Sequence, residues 1–585
     1  MPPPKHRKKP FSAKQKKEQL KQKREKKRFK EDDDSSEEKG KHDGDVEGQR
    51  EEEGAGSSHV DILQVHQQPG HKLDKDYDPN RYRLHFIQES RLEISKRKEA
   101  ARLPYETLPE TALEVSVEEI YKPGSVLDMP KRPPWNYKES KQQLEEKEGK
   151  YFQKYLGNIF EQHNTQELSY LELNLETWRQ LWRVLEMSDI ILLITDIRHP
   201  ALHFSPAMYE YVTKELRKPL VLVLNKIDLA PPSIVVAWKS YFTSKFPDLH
   251  IVCFTSFPKS KTELESMQGD PGKALHKRRK RGFFTAVGPK QLYKVCESIV
   301  EGKVELQSWK EKIESDLDGL EPAGGPEIHI EEGDGSYSQH IQYKDGVLTL
   351  GCCGYPNVGK SSIINGLVGR KVVSTSRTPG HTKHFQTIFL TRTVKLCDSP
   401  GLVFPSLVSK PMQILSGIYP IAQVREPYTA IGYLAQRLDL PKLLHLKHPD
   451  DEGGPDAANL KWSAFDICDA YAVKRGFLTA KAARPDVYRA ANSILRSALD
   501  GRICLCMRPP KFTEQKNEWM ADPETLEIAA VQEMHRKATE FSESDNATSE
   551  SEDGGEKDIN EKDSEDETEH YIEAASNPFS LLSND

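Results

Sequence analysis

Gly354-Tyr355-Pro356-Asn357-Val358-Gly359-Lys360-Ser361 decides the reading of this chain, because it joins the apolar run Val347–Cys353 to the helix-like stretch Ser361–Val368. Strand, glycine turn and helix start in that order make a phosphate-binding loop, with every fixed position of G-x-x-x-x-G-K-[ST] filled. The glycines let successive backbone N–H groups and the helix N-terminus close on phosphate oxygens. Gly354, Asn357, Val358, Gly359, Lys360, Ser361 and Ser362 are therefore expected to line a nucleotide. Lys360 would reach the β and γ phosphates, and the Ser361 hydroxyl would hold Mg²⁺.

A second signal stands well upstream. The continuous apolar run Asp189–Asp196 and its neighbour Pro219–Leu224 read as strands buried on both faces, and the latter ends in Asn225-Lys226-Ile227-Asp228. Ligands of open α/β sheets sit at such strand ends. A carboxylate there accepts from guanine N1–H and the 2-amino group, and adenine offers no such donor pair, so Asp228 points to GTP and GDP rather than ATP. Asn225 would hold the phosphate loop or the far edge of the base, and the Lys226 stem would cover the base. Strand Ile251–Phe254 leads to Thr255-Ser256-Phe257, where the Ser256 N–H is expected under guanine O6.

Downstream of the loop, Thr378-Pro-Gly-His-Thr382 precedes the strand Phe385–Leu390, and the strand Val394–Cys397 closes on Asp398-Ser-Pro-Gly401. Thr382 would add a hydroxyl to Mg²⁺, Asp398 would hold the metal's water shell, and the Gly401 N–H would meet the γ phosphate. Lys360, Thr382 and Gly401 are the expected catalytic set. The base-reading pieces precede the phosphate loop, which is what results when a doubly wound sheet is cut after the Asp-x-x-Gly strand and its old ends are joined. The expected fold is α/β: a circularly permuted P-loop GTPase domain, mostly parallel with helices on both faces, plus a small C-terminal helical domain and charged tails.

These residues resemble the circularly permuted YlqF/YawG-type GTPases. The resemblance runs from about 174 to 505 and takes in Ser188-Asp189, Asp196-Ile-Arg198-His-Pro200, Ala470–Phe477 and Ala490–Leu495 besides the motifs above. The basic head and split acidic insertions look closest to the eukaryotic guanine nucleotide-binding protein-like one subgroup. The resemblance implies work on pre-ribosomal particles in the nucleus or nucleolus, with shuttling to the cytoplasm. Leu402 stands where signalling GTPases place a water-orienting glutamine, so unassisted hydrolysis should be slow. Asn357 resembles the asparagine that coordinates K⁺ in potassium-stimulated relatives. Leu402 also motivates a different reading, a nucleotide-gated scaffold or signalling adaptor with negligible turnover.

Charge is strongly segregated along the 585 residues, although the net is only -7. Lys5–Lys30 carries fourteen Lys or Arg against two Glu, whereas Glu540–Glu569 carries fourteen acids against two Lys. The basic head is expected to contact RNA phosphates or nuclear import receptors. Lys277-Arg-Arg-Lys-Arg281 invites the same roles or plain solvation, and Ser35, Ser549 and Ser564 each precede an acid by three residues as phosphorylation candidates. The expected divisions are a tail at 1–57, a charged arm at 58–165 and the GTPase domain at 166–404 with polar insertions at 258–286 and 303–343. A helical domain at 405–510 and an acidic tail at 511–585 follow. No apolar run reaches the roughly 20 residues of a membrane span, and the eight scattered cysteines are expected as reduced core thiols without disulfides.

Overall fold

The computed structural model describes residues 91–122, 124–136, 139–163, 168–255, 286–318, 330–332, 341–373, 386–451, 460–479, 484–530 and 532. Expectations placed on 1–57, Ser256, 277–281, Thr378, Thr382 and 540–569 lie outside them.

The first long helix, α1 (Lys141–Gln162), starts on a capping box in which Ser140 and Gln143 satisfy each other's backbone N–H groups. It falls inside the stretch read from sequence as a charged arm. Its buried face, Leu144, Glu148, Phe152, Leu156 and Ile159, has a carboxylate in the middle, which interrupts the apolar period. Upstream, Trp135 lies under the Arg132 guanidinium, 4.8 Å from the ring centroid. Helix α2 (Leu175–Met187) is capped by Asn174 and buries Trp178, Leu181, Trp182 and Leu185, the face its spacing predicts.

Strands β1 (Ile190–Asp196) and β2 (Leu220–Asn225) are buried at every position. Between them an α-helix, Pro206–Glu210, is continued by one wide turn, Tyr211–Glu215. Helix α3 (Pro232–Lys245), strand β3 (His250–Cys253) and helix α4 (Pro289–Val300) complete the upstream half. The polar stretch after it holds two elements the sequence reading missed, α5 (Gln307–Asp318) and the short β4 (Ile330–Glu332). Trp309 of α5 is fully buried and meets Tyr293 of α4 edge-on, so one aromatic anchors an otherwise charged helix.

Strand β5 (Leu348–Cys353) feeds the phosphate loop and helix α6 (Lys360–Val368), followed by β6 (Gln386–Phe389) and β7 (Val394–Asp398). The sheet order is β3-β2-β1-β5-β7-β6-β4, and the pairs from β3 to β7 are all parallel. Strands β6 and β4 are antiparallel additions at one edge. The strand that carries the phosphate loop is therefore central, between the earlier β1 and the later β7: the sheet of a P-loop domain with its chain order permuted.

Beyond β7, helices α7 (Lys410–Leu415), α8 (Tyr428–Ala435), α9 (Ala464–Arg475) and α10 (Val487–Leu499) pack on one another. Ser463 and Asp466 form a capping box for α9, and Asp486 caps α10 at the Arg489 N–H. Chain order continues after residue 510, where the sequence reading begins an acidic tail. Helix α11 (Lys516–Ala521) and helical residues 523–530 pack against α3, with Phe512 and Ile528 buried. Three widely spaced apolar residues, Phe512, Trp519 and Ile528, give too sparse a period to be read as helix. All eight cysteines are free and buried, and no helix among the described residues is long and apolar enough to cross a membrane.

Candidate nucleotide site

The register of the parallel strands brings the motifs to one edge. Asp196 of β1 pairs with Asn225 of β2, and Cys352 of β5 pairs with Asp398 of β7, so the carboxyl ends of four strands finish together. The phosphate loop leaves this edge and passes over it. Asn225 Nδ2 donates to Val358 O at 2.8 Å, which fastens the guanine-reading loop to the phosphate loop. This contact requires glycine next door: a Cβ on Gly359 would lie 2.3 Å from Asn225 Nδ2, at a φ of +100°. Of the two sequence-stated options for Asn225, the structure has it holding the loop.

Lys226 also turns to the loop. Its Nζ donates to Asn357 O at 2.7 Å and to Asp196 Oδ2 at 2.8 Å, so the ammonium is anchored behind the position where its stem would meet a base. Asp196 is fully buried, and burial opposes its charge. The Arg198 guanidinium and the Lys226 ammonium nevertheless hold its carboxyl well below the usual carboxylate range. Arg198 grips both Asp196 oxygens, at 3.0 and 2.8 Å.

Asp228 is half-buried, and its Oδ1 accepts from Thr255 Oγ1 at 2.7 Å. Thr255 is a site residue the sequence reading quoted without assigning it. Its hydroxyl fixes the rotation of the carboxylate. The signal available in sequence was only a hydroxyl at the end of β3.

At the phosphate end, Lys360 is buried and donates to the carbonyls of Gly354 and Tyr355 at 3.1 and 2.8 Å. Burial pushes its ammonium down to about 8, against the pull of Asp398. Ser361 Oγ donates to Asp398 Oδ2 at 3.2 Å. Asp398 is fully buried, and its Oδ1 has no hydrogen-bond partner among the described residues. Burial raises its carboxyl to about 6, with Lys360 and Ser361 opposing. An uncompensated buried carboxylate beside a hydroxyl is a fit for a hard cation that also needs phosphate and water ligands. Ser361 and Asp398 would hold Mg²⁺, whose charge would stabilise phosphate oxygens. Among the described residues no cluster of three or more His, Cys, Asp or Glu could hold a metal alone.

Gly401 lies flat on the loop, where a Cβ would fall 2.8 Å from Pro356 Cα. The next residue, Leu402, is buried in the core and its N–H donates to Gly354 O at 3.2 Å. Its side chain cannot reach an attacking water. Ser362 lies in the first turn of α6, and Val358, within the loop, is fully buried. Asn357, at a φ of +59°, directs Nδ2 to Gly417 O at 2.8 Å, in the turn after α7. Tyr355 points down, its hydroxyl sharing a 2.8 Å hydrogen bond with Tyr121.

A loop of phosphate-binding sequence, a buried carboxylate against its serine and the Asn225–Asp228 turn at one parallel sheet edge are the arrangement of a P-loop GTPase, here with a permuted chain. A family model described as "50S ribosome-binding GTPase" matches residues 349–427. Guanine nucleotide-binding protein-like 1 of Homo sapiens is 55% identical over 490 residues, 80% of each chain. Large subunit GTPase 1 of Saccharomyces cerevisiae is 34% identical over 404 residues, 66% of this chain and 58% of that one. Among solved structures, GNP-bound YlqF from T. maritima matches at 17% identity with a TM-score of 0.32, covering 57% of this chain and 99% of that one. The chain belongs to the guanine nucleotide-binding protein-like 1 family of circularly permuted GTPases; it binds GTP and hydrolyses it.

Proposed function

We propose that GTP binding and hydrolysis switch this protein's hold on a ribosomal or other ribonucleoprotein particle. The observation that carries the switch is the direct hydrogen bond from Asn357 of the phosphate loop to Gly417. Loss of a γ phosphate relaxes loop contacts in GTPases. Here the Asp398–Gly401 segment runs straight into 402–409 and then α7, so that relaxation is passed to the helices beyond. The particle is supported by the wording of the family model, by the name of the yeast relative and by the basic head Lys5–Lys30. That head is assigned RNA contact and import into the nucleus and nucleolus; the acid-flanked serines are assigned phosphorylation.

Turnover is slow without help, since Leu402 is buried and no glutamine replaces it. The Asn357 carboxamide is proposed to bring K⁺ beside the phosphates as that help. Multiple-turnover phosphate release with and without ribosomal particles, in potassium and in sodium, tests both points. Cosedimentation with GTP analogue, GDP and no nucleotide tests the switch: equal affinity in all three states would sink it. The buried Leu402 also favours a second reading, a nucleotide-gated scaffold, which phosphate release indifferent to particles and cations would support.

A further inference from the structure

The turn that reads guanine is short and has little backbone support of its own. Lys226 enters it at a φ of +61°, and residues Ile227–Leu229 make a single tight turn. The sheet side contributes one long backbone bond, Ile227 N–H to Phe254 O at 3.3 Å. Within the turn Leu229 N–H closes on Lys226 O at 2.9 Å, and Thr255 and Asn357 hold the Asp228 and Lys226 side chains; further support comes from far along the chain. Gln532 Nε2 donates to Ile227 O at 2.6 Å and to Ala230 O at 2.8 Å, bracketing Asp228 on both sides. The Leu229 side chain abuts Gly501, where a Cβ would lie 2.7 Å from Leu229 Cδ2. Cys506 Sγ approaches Leu229 O at 3.8 Å.

Gln532 is itself carried on a built surface. Residues 523–530 are helical, Ile528 is buried, and Glu524 pairs with Lys239 of α3 at 2.5 Å. Trp238 of the same α3 donates to Met507 O at 3.0 Å. Met507, Glu524 and α11 thus contact α3, while Gly501 and Gln532 meet the turn that follows β2.

We propose that Gln532 is a positioning residue for guanine recognition: by fastening both ends of the Ile227–Ala230 turn it holds Asp228 in register with the base. The stretch 501–532 thereby sets how fast guanine nucleotides leave. One side-chain amide spanning two carbonyls is a single catch, so whatever draws residues 523–530 off α3 and Gln532 off the turn opens the base end of the pocket while leaving the phosphate loop intact. A partner that binds this stretch would act as an exchange lever.

The test uses the full-length protein and a fluorescent GDP. Gln532→Ala is expected to speed GDP release by roughly five- to thirtyfold, the value of two ordinary neutral hydrogen bonds. KM for GTP should rise by a similar factor while the single-turnover rate at saturating GTP stays the same. Gln532→Glu, which cannot donate and sets a second carboxylate near Asp228, should exceed it. Amide exchange at 226–230 in nucleotide-free protein should accelerate in both variants, with the melting temperature held. Unchanged GDP release overturns the proposal. So does faster release accompanied by an equal fall in single-turnover rate, which marks general loosening. No ribosomal particle enters the experiment, so its failure leaves the particle reading standing, and the reverse also holds.

Discussion

The two oxygens of Asp228, the carboxylate proposed to select the base, are not equivalent. Asp228 spends part of its hydrogen-bonding capacity on Thr255 Oγ1, so the remainder is aimed rather than free to rotate. Asp228→Asn exchanges an acceptor for a donor and should cost GTP roughly 100-fold or more in affinity, while xanthine nucleotides, which carry an oxygen in place of the 2-amino group, gain. Competition between GTP and XTP for one labelled nucleotide measures this; no shift toward XTP would remove Asp228 as the base reader. Thr255→Val keeps shape and removes only the aiming hydrogen bond, so it should weaken GTP by a smaller factor, about threefold to tenfold, without a change of base preference. Asp228 was legible because its motif is local in sequence. Thr255 and Gln532 were not, because their roles depend on which strand and which helix the fold sets beside the turn.

Among the elements, α1 is attached by charge as much as by apolar contact. Glu148 is fully buried and accepts from Arg132 Nε at 3.0 Å and Arg179 Nε at 2.8 Å, with Arg132 also bound to Glu186 at 2.6 Å. Removing the central carboxylate leaves two guanidinium groups partly buried without their shared partner. Glu148→Ala should therefore destabilise by about 3–5 kcal/mol, read from the denaturant midpoint, and a loss under about 1 kcal/mol would reduce the network to a surface-like contribution. The same carboxylate explains why the sequence hid this helix: a charged residue sits in the apolar stripe, and the spacing breaks there. By contrast β1 and β2 were readable as unbroken apolar runs, and α2 by the spacing of Trp178, Leu181, Trp182 and Leu185.

A second element contact is sensitive to pH. The segment after Gly401 is held by the stretch before α2, through Glu172 N–H to Val403 O at 3.0 Å and Ser169 N–H to Ser406 O at 2.9 Å. The Glu172 side chain is buried, and burial raises its carboxyl to about 7, only partly offset by the Asn174 and Leu173 N–H groups. Between its ordinary carboxylate value and about 7 the folded state binds more proton than the unfolded chain. This group's contribution to stability therefore falls as pH rises through that window and is level above it. Glu172→Gln should flatten that part of the profile, measured as unfolding free energy across the window; an unaltered slope would assign the dependence elsewhere.

At the scale of the whole molecule, permutation sets what the proposed switch would pull on. Because the chain runs from the Asp398–Gly401 segment into α7, nucleotide contacts and C-terminal helices are neighbours in sequence as well as in space. Arg198 closes the circuit from the other side. Its guanidinium binds Asp196 and, through Nη1, the carbonyls of Ala498 and Leu499 at the end of α10, at 2.9 and 3.2 Å. Its own carbonyl accepts from the Met507 N–H at 2.8 Å. A cation at a helix C-terminus is favoured by the exposed carbonyls there, and the planar fork lets one side chain serve Asp196 and α10 together. Arg198→Lys keeps the charge but cannot bridge both. If nucleotide state reaches α10, amide exchange in Val487–Leu499 should differ between GTP analogue and GDP in the wild-type protein, and Arg198→Lys should shrink that difference while the P-loop still binds nucleotide. Identical protection of α10 in the two wild-type complexes would mean that the C-terminal helices are a fixed platform and that the switch acts elsewhere.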